Sequence, residues 1–281
     1  MSPGSLTNSG IHRQFARLTR SLRRLAGRPG TARGSKPVWR RVGHGPLEGL
    51  EFLLPPPGAD GWADRIVAGT YEPGTLAVLE QLASKSGVLY DIGAHIGFFT
   101  CAWIRMGGRS VEAFEPLPSN AAVLKDIVAR NGISAAVRVH AFALGNDNAR
   151  VRLLAHALDL GTTSMAFVED IGGIRSQARS ERYRLAEPTA VALRRLDDVL
   201  ADEKLPPPDV LKIDVEGAEP EVLAGAESLL ARLKPAVVCE VHNIDGGLRV
   251  SDQMARLDYR LQIIGWNNMQ TAALWRTGED G

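Results

Sequence analysis

In Tyr90-Asp91-Ile92-Gly93-Ala94-His95-Ile96-Gly97-Phe98-Phe99-Thr100 an apolar strand runs into a glycine loop and out again into a helix. Gly93 lets the backbone turn sharply with nothing projecting toward a ligand, and Gly97 lets the following helix pack close. The spacing is not the G-x-G-x-x-G of dinucleotide-binding loops, and an acid, Asp91, opens the turn. An acid beside a helix N-terminus repels a pyrophosphate and suits a ligand that carries an ammonium group.

Working outward, Ser110–Glu115 is a second strand, and its tip carries Glu115, 24 residues after Asp91. A carboxylate at that tip can accept both hydroxyls of a ribose. An ammonium-binding acid, a glycine loop and a ribose-binding acid in register describe S-adenosylmethionine (SAM). Strands and helices alternate through the rest of the chain. The pattern predicts a helix over Asn120–Asn131, strands over Ala136–Ala143, Arg150–Ala155, Thr189–Arg194 and Asp209–Val215, and a helix over Glu219–Leu233. A strand over Ala236–Val241, a helix over Ser251–Asp258 and a hairpin within Leu261–Trp275 complete it, with short helices upstream at Trp62–Val67 and Thr75–Leu82. Such alternation argues an α/β fold with a mostly parallel, doubly wound sheet, which binds ligands past the carboxyl ends of its strands.

DIGAHIGFFT, VEAFEPLPSN, FALGNDN, VALRRLDDVL, DVLKIDVEGAEPEVLAGAESLL and KPAVVCEVHN follow one another in this chain. In order and spacing they resemble the FkbM family of SAM-dependent methyltransferases, from about Gly69 to Trp275 and most closely over Asp209–Ala226. The resemblance implies a class I methyltransferase (Rossmann-like) fold, a seven-stranded sheet with one antiparallel strand at the end. It also implies methyl transfer to oxygen, typically on a sugar or secondary metabolite. Carried onto this sequence, Asp91, Gly93, Ala94, His95 and Gly97 form the loop around the methionine part of SAM. Glu115 takes the ribose, and the turn Ala143-Leu144-Gly145 takes the adenine edge. His95 stands where family members usually carry Asn, which puts a contact to the cofactor carboxylate there in doubt.

The acceptor chemistry is expected at the fourth and fifth strand ends. Lys212, Asp214 and Glu216 alternate with apolar residues and so share one strand face, and Glu240 and His242 do the same on the next strand. Neighbouring strands would bring Asp214, Glu216, Glu240 and His242 to one cleft. A hydroxyl acceptor has a pKa far above 7 and needs either a general base or a metal that acidifies it. His242 as base is favoured over Mg²⁺ or Mn²⁺, since no dense Asp/Asn set is present. Pairing of Lys212 with an acid is the plain structural alternative. Asp-Val-Glu-Gly stands where base-methylating enzymes commonly carry Asn/Asp-Pro-Pro-aromatic, so an aliphatic hydroxyl suits this site better than a nucleobase. Tyr71-Glu72-Pro73, just upstream of the glycine loop, resembles a family segment and is expected to cover the site. In His156–Pro188, Gly161–Met165 offers hydroxyls to a polyol and Gly172-Gly173 a hinge for a lid; a variable surface loop is the plainer account.

Charge divides the chain in two. It has 281 residues with 33 Lys+Arg and 32 Asp+Glu, a formal +1. Residues 1–41 hold ten of the basic side chains and no acid, which leaves −9 for the remainder. The basic arm, residues 1–36, places Ile11, Phe15, Leu18, Leu22 and Leu25 on one helical face. It reads as a mobile solubilising tail, as a helix on an anionic membrane surface, or as an organelle transit peptide. Residues 37–281 are expected to form the FkbM-type methyltransferase domain that the resemblance implies.

No apolar run approaches the ~18 residues that cross a bilayer. Cys101 and Cys239 read as core residues and leave no disulfide framework, so a cytoplasmic enzyme, with or without peripheral membrane contact, is expected. An RNA methyltransferase would need the acidic body to bind a polyanion, and a SAM-binding scaffold without turnover would not need the acceptor-side acids. The leading expectation is an O-methyltransferase for a small-molecule or glycan acceptor; the oligomeric state stays open.

Overall fold

The computed structural model describes residues 36–83, 87–155, 166–168, 188–266 and 271–277. The arm, apart from Lys36, and the hydroxyl and hinge segments 161–165 and 172–173 lie outside the described residues.

The chain enters through a hairpin that the sequence pattern did not reveal, β1 (Val38–Arg41) antiparallel to β2 (Glu51–Leu54). Helices α1 (Gly61–Val67) and α2 (Pro73–Ala83) lead into β3 (Val88–Ile92), followed by α3 (Phe98–Arg105), β4 (Ser110–Phe114), α4 (Pro118–Arg130) and β5 (Val137–His140). Next come β6 (Ala143–Leu144), β7 (Ala149–Ala155), β8 (Ala166–Val168), β9 (Thr189–Arg194) and α5 (Leu196–Asp202). The last part is β10 (Val210–Ile213), α6 (Glu219–Gly225), α7 (Glu227–Leu233), β11 (Ala236–Val241), α8 (Ile244–Arg256), β12 (Arg260–Trp266) and β13 (Thr271–Arg276).

Seven strands form the main sheet in the order β12-β13-β11-β10-β3-β4-β5. β11, β10, β3, β4 and β5 run parallel, and β13 is antiparallel to both its neighbours. The antiparallel strand is thus last in the chain but second from the sheet edge. Every residue of β3 is buried, as expected of a central parallel strand covered on both faces. Alternate side chains feed two cores. Leu89, Val111, Val210 and Val238 pack with α1 to α4 and the hairpin residues Phe52 and Leu54. Val88, Tyr90, Ile92, Leu211, Ile213 and Val237 pack with α5 to α8. Two-sided burial of this kind makes the sheet rigid and leaves the strand ends as the place for a site.

Four local differences from the sequence pattern bear on the site. The expected strand Ala136–Ala143 is two pieces: β5 ends at His140, and Ala143–Leu144 crosses to a separate sheet, β6-β9-β7-β8, paired with Leu193 and Arg194. Phe142 marks the crossing, its ring 5.8 Å from Phe114. The helix expected over Glu219–Leu233 breaks at Ala226. Asp197 accepts hydrogen bonds from the Ser228 and Leu229 N–H groups and so starts α7 afresh. Gly225 passes so close that a Cβ would overlap the Gly145 carbonyl oxygen. Gly225→Ala is therefore expected to lower stability by about 3 kcal/mol, read as a shifted urea midpoint; an unchanged midpoint would show that the helix break does not depend on that approach. α8 begins at Ile244 rather than Ser251, because Asn243 caps it by accepting from the Gly246 N–H at 2.6 Å. β10 stops at Ile213, so Asp214 and Glu216 lie beyond the strand, with Glu216 at φ 57° and Gly217 at φ 111°.

Candidate functional site

A cavity of about 320 Å³ opens past the carboxyl ends of β3, β4, β10 and β11. One half is lined by Ile92, Gly93, His95, Glu115, Phe142, Ala143, Leu144 and Leu153. The other is lined by Trp62, Arg65, Tyr71, Glu72, Asp214, Glu216, Glu240 and His242.

The first half is built by two turns held together. Gly93 sits at φ 80°, where an added Cβ would overlap the Asp214 carbonyl oxygen. Gly97 caps α3 at φ 84° with Leu124 of α4 against it. His95 has φ 51°, a left-handed conformation that Asn adopts readily and His also tolerates, which explains how His can occupy this position. The His95 N–H donates to Glu115 Oε2 at 2.9 Å, and the Leu117 N–H donates to Oε1 at 2.9 Å. Glu115 is 5% exposed; burial pushes its pKa up to about 7 against the pull of these backbone donors. Behind it, Phe142, Ala143 and Leu144 form an apolar slot.

Asp91 does not reach this cavity. It is fully buried, accepts from Thr100 Oγ1 at 2.6 Å and lies 3.7 Å from Lys212 Nζ. Burial pushes its pKa up, with the Lys212 ammonium opposing. The ammonium it faces belongs to the protein itself, which corrects the expectation of direct contact with a cofactor. Ala94 and Gly97 shape the loop without lining the cavity.

The second half converges as expected, on shorter strands. Lys212 Nζ lies 3.2 Å from Asp214 Oδ2, so the structural pairing is real, while Asp214 Oδ1 faces His242 Nε2 at 3.4 Å. Glu216 Oε2 lies 3.6 Å from the same nitrogen. On the other side of the ring, Nδ1 is 2.8 Å from Glu219 Oε1, a fully buried carboxylate that also accepts from the Gly217 N–H. This hydrogen bond favours the protonated ring, so Nδ1 is the donor in it. Burial pulls the His242 pKa down, but the Glu219 hydrogen bond with Asp214 and Glu216 outweighs it and pushes it up to about 9. A histidine at 9 is neutral in about one molecule in a hundred at pH 7, which works against free-base action in this arrangement. Asp214 is pushed up by burial, but Lys212 and His242 more than offset that and hold it low. Burial, reinforced by Asp214, pushes Glu240 up to about 7. Ligand atoms of Asp214, Glu240 and His242 all lie within 4.8 Å of one another.

The family model described as Methyltransferase FkbM domain matches residues 91–261, more than half of the chain. The chain belongs to the FkbM methyltransferase family. Its parallel core and single inserted antiparallel strand are those of a class I methyltransferase. A relative from Streptomyces tacrolimicus, 31-O-demethyl-FK506 methyltransferase FkbM, is 31% identical over 57% of this chain and 67% of its own length. Methyltransferase 1 of Beauveria bassiana is 28% identical over 56% of this chain and 66% of its own. The solved FkbM methyltransferase from Methylobacillus flagellatus KT is 18% identical, with a TM-score of 0.49, over 68% of this chain and 43% of that one.

Several groups that line this FkbM-family site or stand behind its lining were not singled out in the sequence. Glu219 reads there as an ordinary acid in the first turn of a helix. Trp62 and Arg65 lie on α1, whose ring at Trp62 stands 6.5 Å from Tyr71 and 5.8 Å from His95. Tyr71 and Glu72 do line the cavity, as the family segment suggested. Phe142 could have been found from its position beside Ala143, an aromatic at a strand exit.

Proposed function

We propose that this chain is a SAM-dependent O-methyltransferase acting on a hydroxyl of a sugar, glycolipid or secondary metabolite. The observation that carries it is the joining of two chemically distinct halves in one cavity, a turn-and-slot half around Glu115 and a wall of carboxylates with one imidazole. The acids outnumber the cations that line it, which suits a positively charged cofactor and a neutral polyol. The relative from Streptomyces is named for 31-O-demethyl-FK506, which supports oxygen as the accepting atom.

SAM, when bound, supplies a methyl group on a sulfonium. Gly93 leaves its side of the cavity open at the backbone, Glu115 accepts the ribose hydroxyls, and Phe142, Ala143 and Leu144 take the adenine edge. Asp214, Glu216, Glu240 and His242 orient the acceptor hydroxyl and handle its proton, and Glu219 fixes the His242 ring. Trp62 and Tyr71 cover the acceptor end and exclude water, which strengthens the electrostatics inside. Two buried free thiols, Cys101 and Cys239, support a reducing compartment such as the cytoplasm.

Calorimetry is expected to show SAM binding at micromolar affinity, and its absence from the intact protein would overturn the cofactor assignment. His242→Ala is expected to hold SAM affinity within about threefold while lowering transfer at least ~100-fold; normal turnover would remove the acceptor wall from the mechanism. Labelled SAM screened against cell-envelope glycans and lipid extracts identifies the acceptor. Deletion of residues 1–36 is expected to leave SAM affinity unchanged, because among the described residues every one that lines the cavity lies at Trp62 or later.

A further inference from the structure

We propose that Asp214, Glu240 and His242 form a binding site for a hard divalent cation, Mn²⁺ or Mg²⁺, with Glu219 as the carboxylate that orients the histidine. The role given to the cation rests on the methyltransferase function proposed above.

The geometry supplies more than a group of acids. The His242 side chain is 9% exposed, and its Nε2 points into the cluster while making no hydrogen bond there. A polar atom buried in this way needs a partner, and leaving it without one is costly. The other ring nitrogen is held by Glu219 at 2.8 Å, so Nδ1 keeps its proton and Nε2 is the nitrogen that gives one up when a cation binds. Metal-bound histidines are held by a second carboxylate in this way. Lys212 occupies Asp214 Oδ2 at 3.2 Å and leaves Oδ1 toward the imidazole. The three ligand atoms lie within 4.8 Å of one another, and a cation about 2.1 Å from each holds three ligands about 3 Å apart, so side-chain movement of about an ångström closes the site.

The donor set chooses the ion. Two carboxylates and one imidazole, with no thiolate, favour a hard ion that keeps open positions for water or substrate. An acceptor hydroxyl taking one open position becomes more acidic. Its O–H bond breaks, the electron pair stays on oxygen, and the proton passes to the Glu216 carboxylate, which is 21% exposed and leads to solvent.

The test is titration of the full chain with Mn²⁺ alone, followed by the loss of the electron paramagnetic resonance signal of free Mn²⁺. One equivalent is expected to bind at micromolar affinity. His242→Ala and Asp214→Asn are expected to weaken it at least tenfold, and Glu219→Gln by about 10- to 100-fold. SAM calorimetry on the same samples shows that each variant keeps its fold. Undiminished free Mn²⁺ signal at millimolar concentration would overturn the site, as would unchanged affinity in both ligand variants. Methyl transfer that survives exhaustive EDTA treatment would overturn the cation's role and assign the proton to His242 as base. Mn²⁺ binding in a protein that fails to bind SAM would leave the metal site standing and remove the proposed function; SAM binding without Mn²⁺ would do the reverse.

Discussion

Gly93→Ala is expected to abolish measurable SAM binding, with affinity at least ~100-fold below that of the unaltered protein. Two effects act together at this position. The backbone is at φ 80°, where an L side chain is strained, and the new Cβ would overlap the Asp214 carbonyl oxygen. Strain alone costs only about 1 kcal/mol, but overlap with backbone forces β3 and β10 apart at their tips. Asp214 N donates to the Ile92 carbonyl at 3.0 Å, so the displacement would carry the acceptor acid with it. Gly132→Ala is the matched control: φ is 69° and nothing lies within 4 Å of the added atom. It is expected to cost about 1 kcal/mol of stability and leave SAM binding intact. Similar SAM affinities in the two variants would show that the close approach at Gly93 is not what builds the cofactor loop.

Glu115→Ala is expected to weaken SAM at least ~100-fold, since it removes a charged acceptor and unties two turns. The carboxylate receives the N–H of His95 from one turn and that of Leu117 from the other. Its pKa adds a pH signature. Burial raises it from the ordinary 4.5 to about 7, so the proton is held below about 7 and the two-fold acceptor exists above it. SAM affinity is thus expected to fall about tenfold per pH unit below 7 and level off above it. Stability moves the opposite way: a raised pKa favours the fold below about 4.5, and that contribution is lost as pH rises through about 7. Calorimetric titrations between pH 5.5 and 8.5 that show a flat affinity would sink the ribose role of Glu115.

The parts legible in the sequence were those fixed by short-range pattern. The glycine loop, the acids at strand tips and the alternation of strands with helices follow from spacing, and the cavity contains Gly93, His95, Glu115, Ala143, Leu144 and the four acceptor-side residues together. The depth of Asp91 was not legible, because it depends on register: Lys212 pairs directly across from it on β10. Two residues 121 apart in sequence carry no sign that they will face each other. Glu219 was missed for a related reason, since an acid opening a helix is ordinary until His242 arrives from the next strand. The break at Ala226 and the crossing at Phe142 depend on distant partners, Asp197 and Leu193.

Trp62, Arg65, Tyr71 and Glu72 line the cavity, and all precede the segment 91–261 that the family model matches. Under the proposed function, this part of the wall lies outside the stretch that the family shares, while Asp214, Glu216, Glu240 and His242 lie inside it. Exchange of residues 60–74 is therefore expected to shift acceptor preference and leave SAM affinity in place.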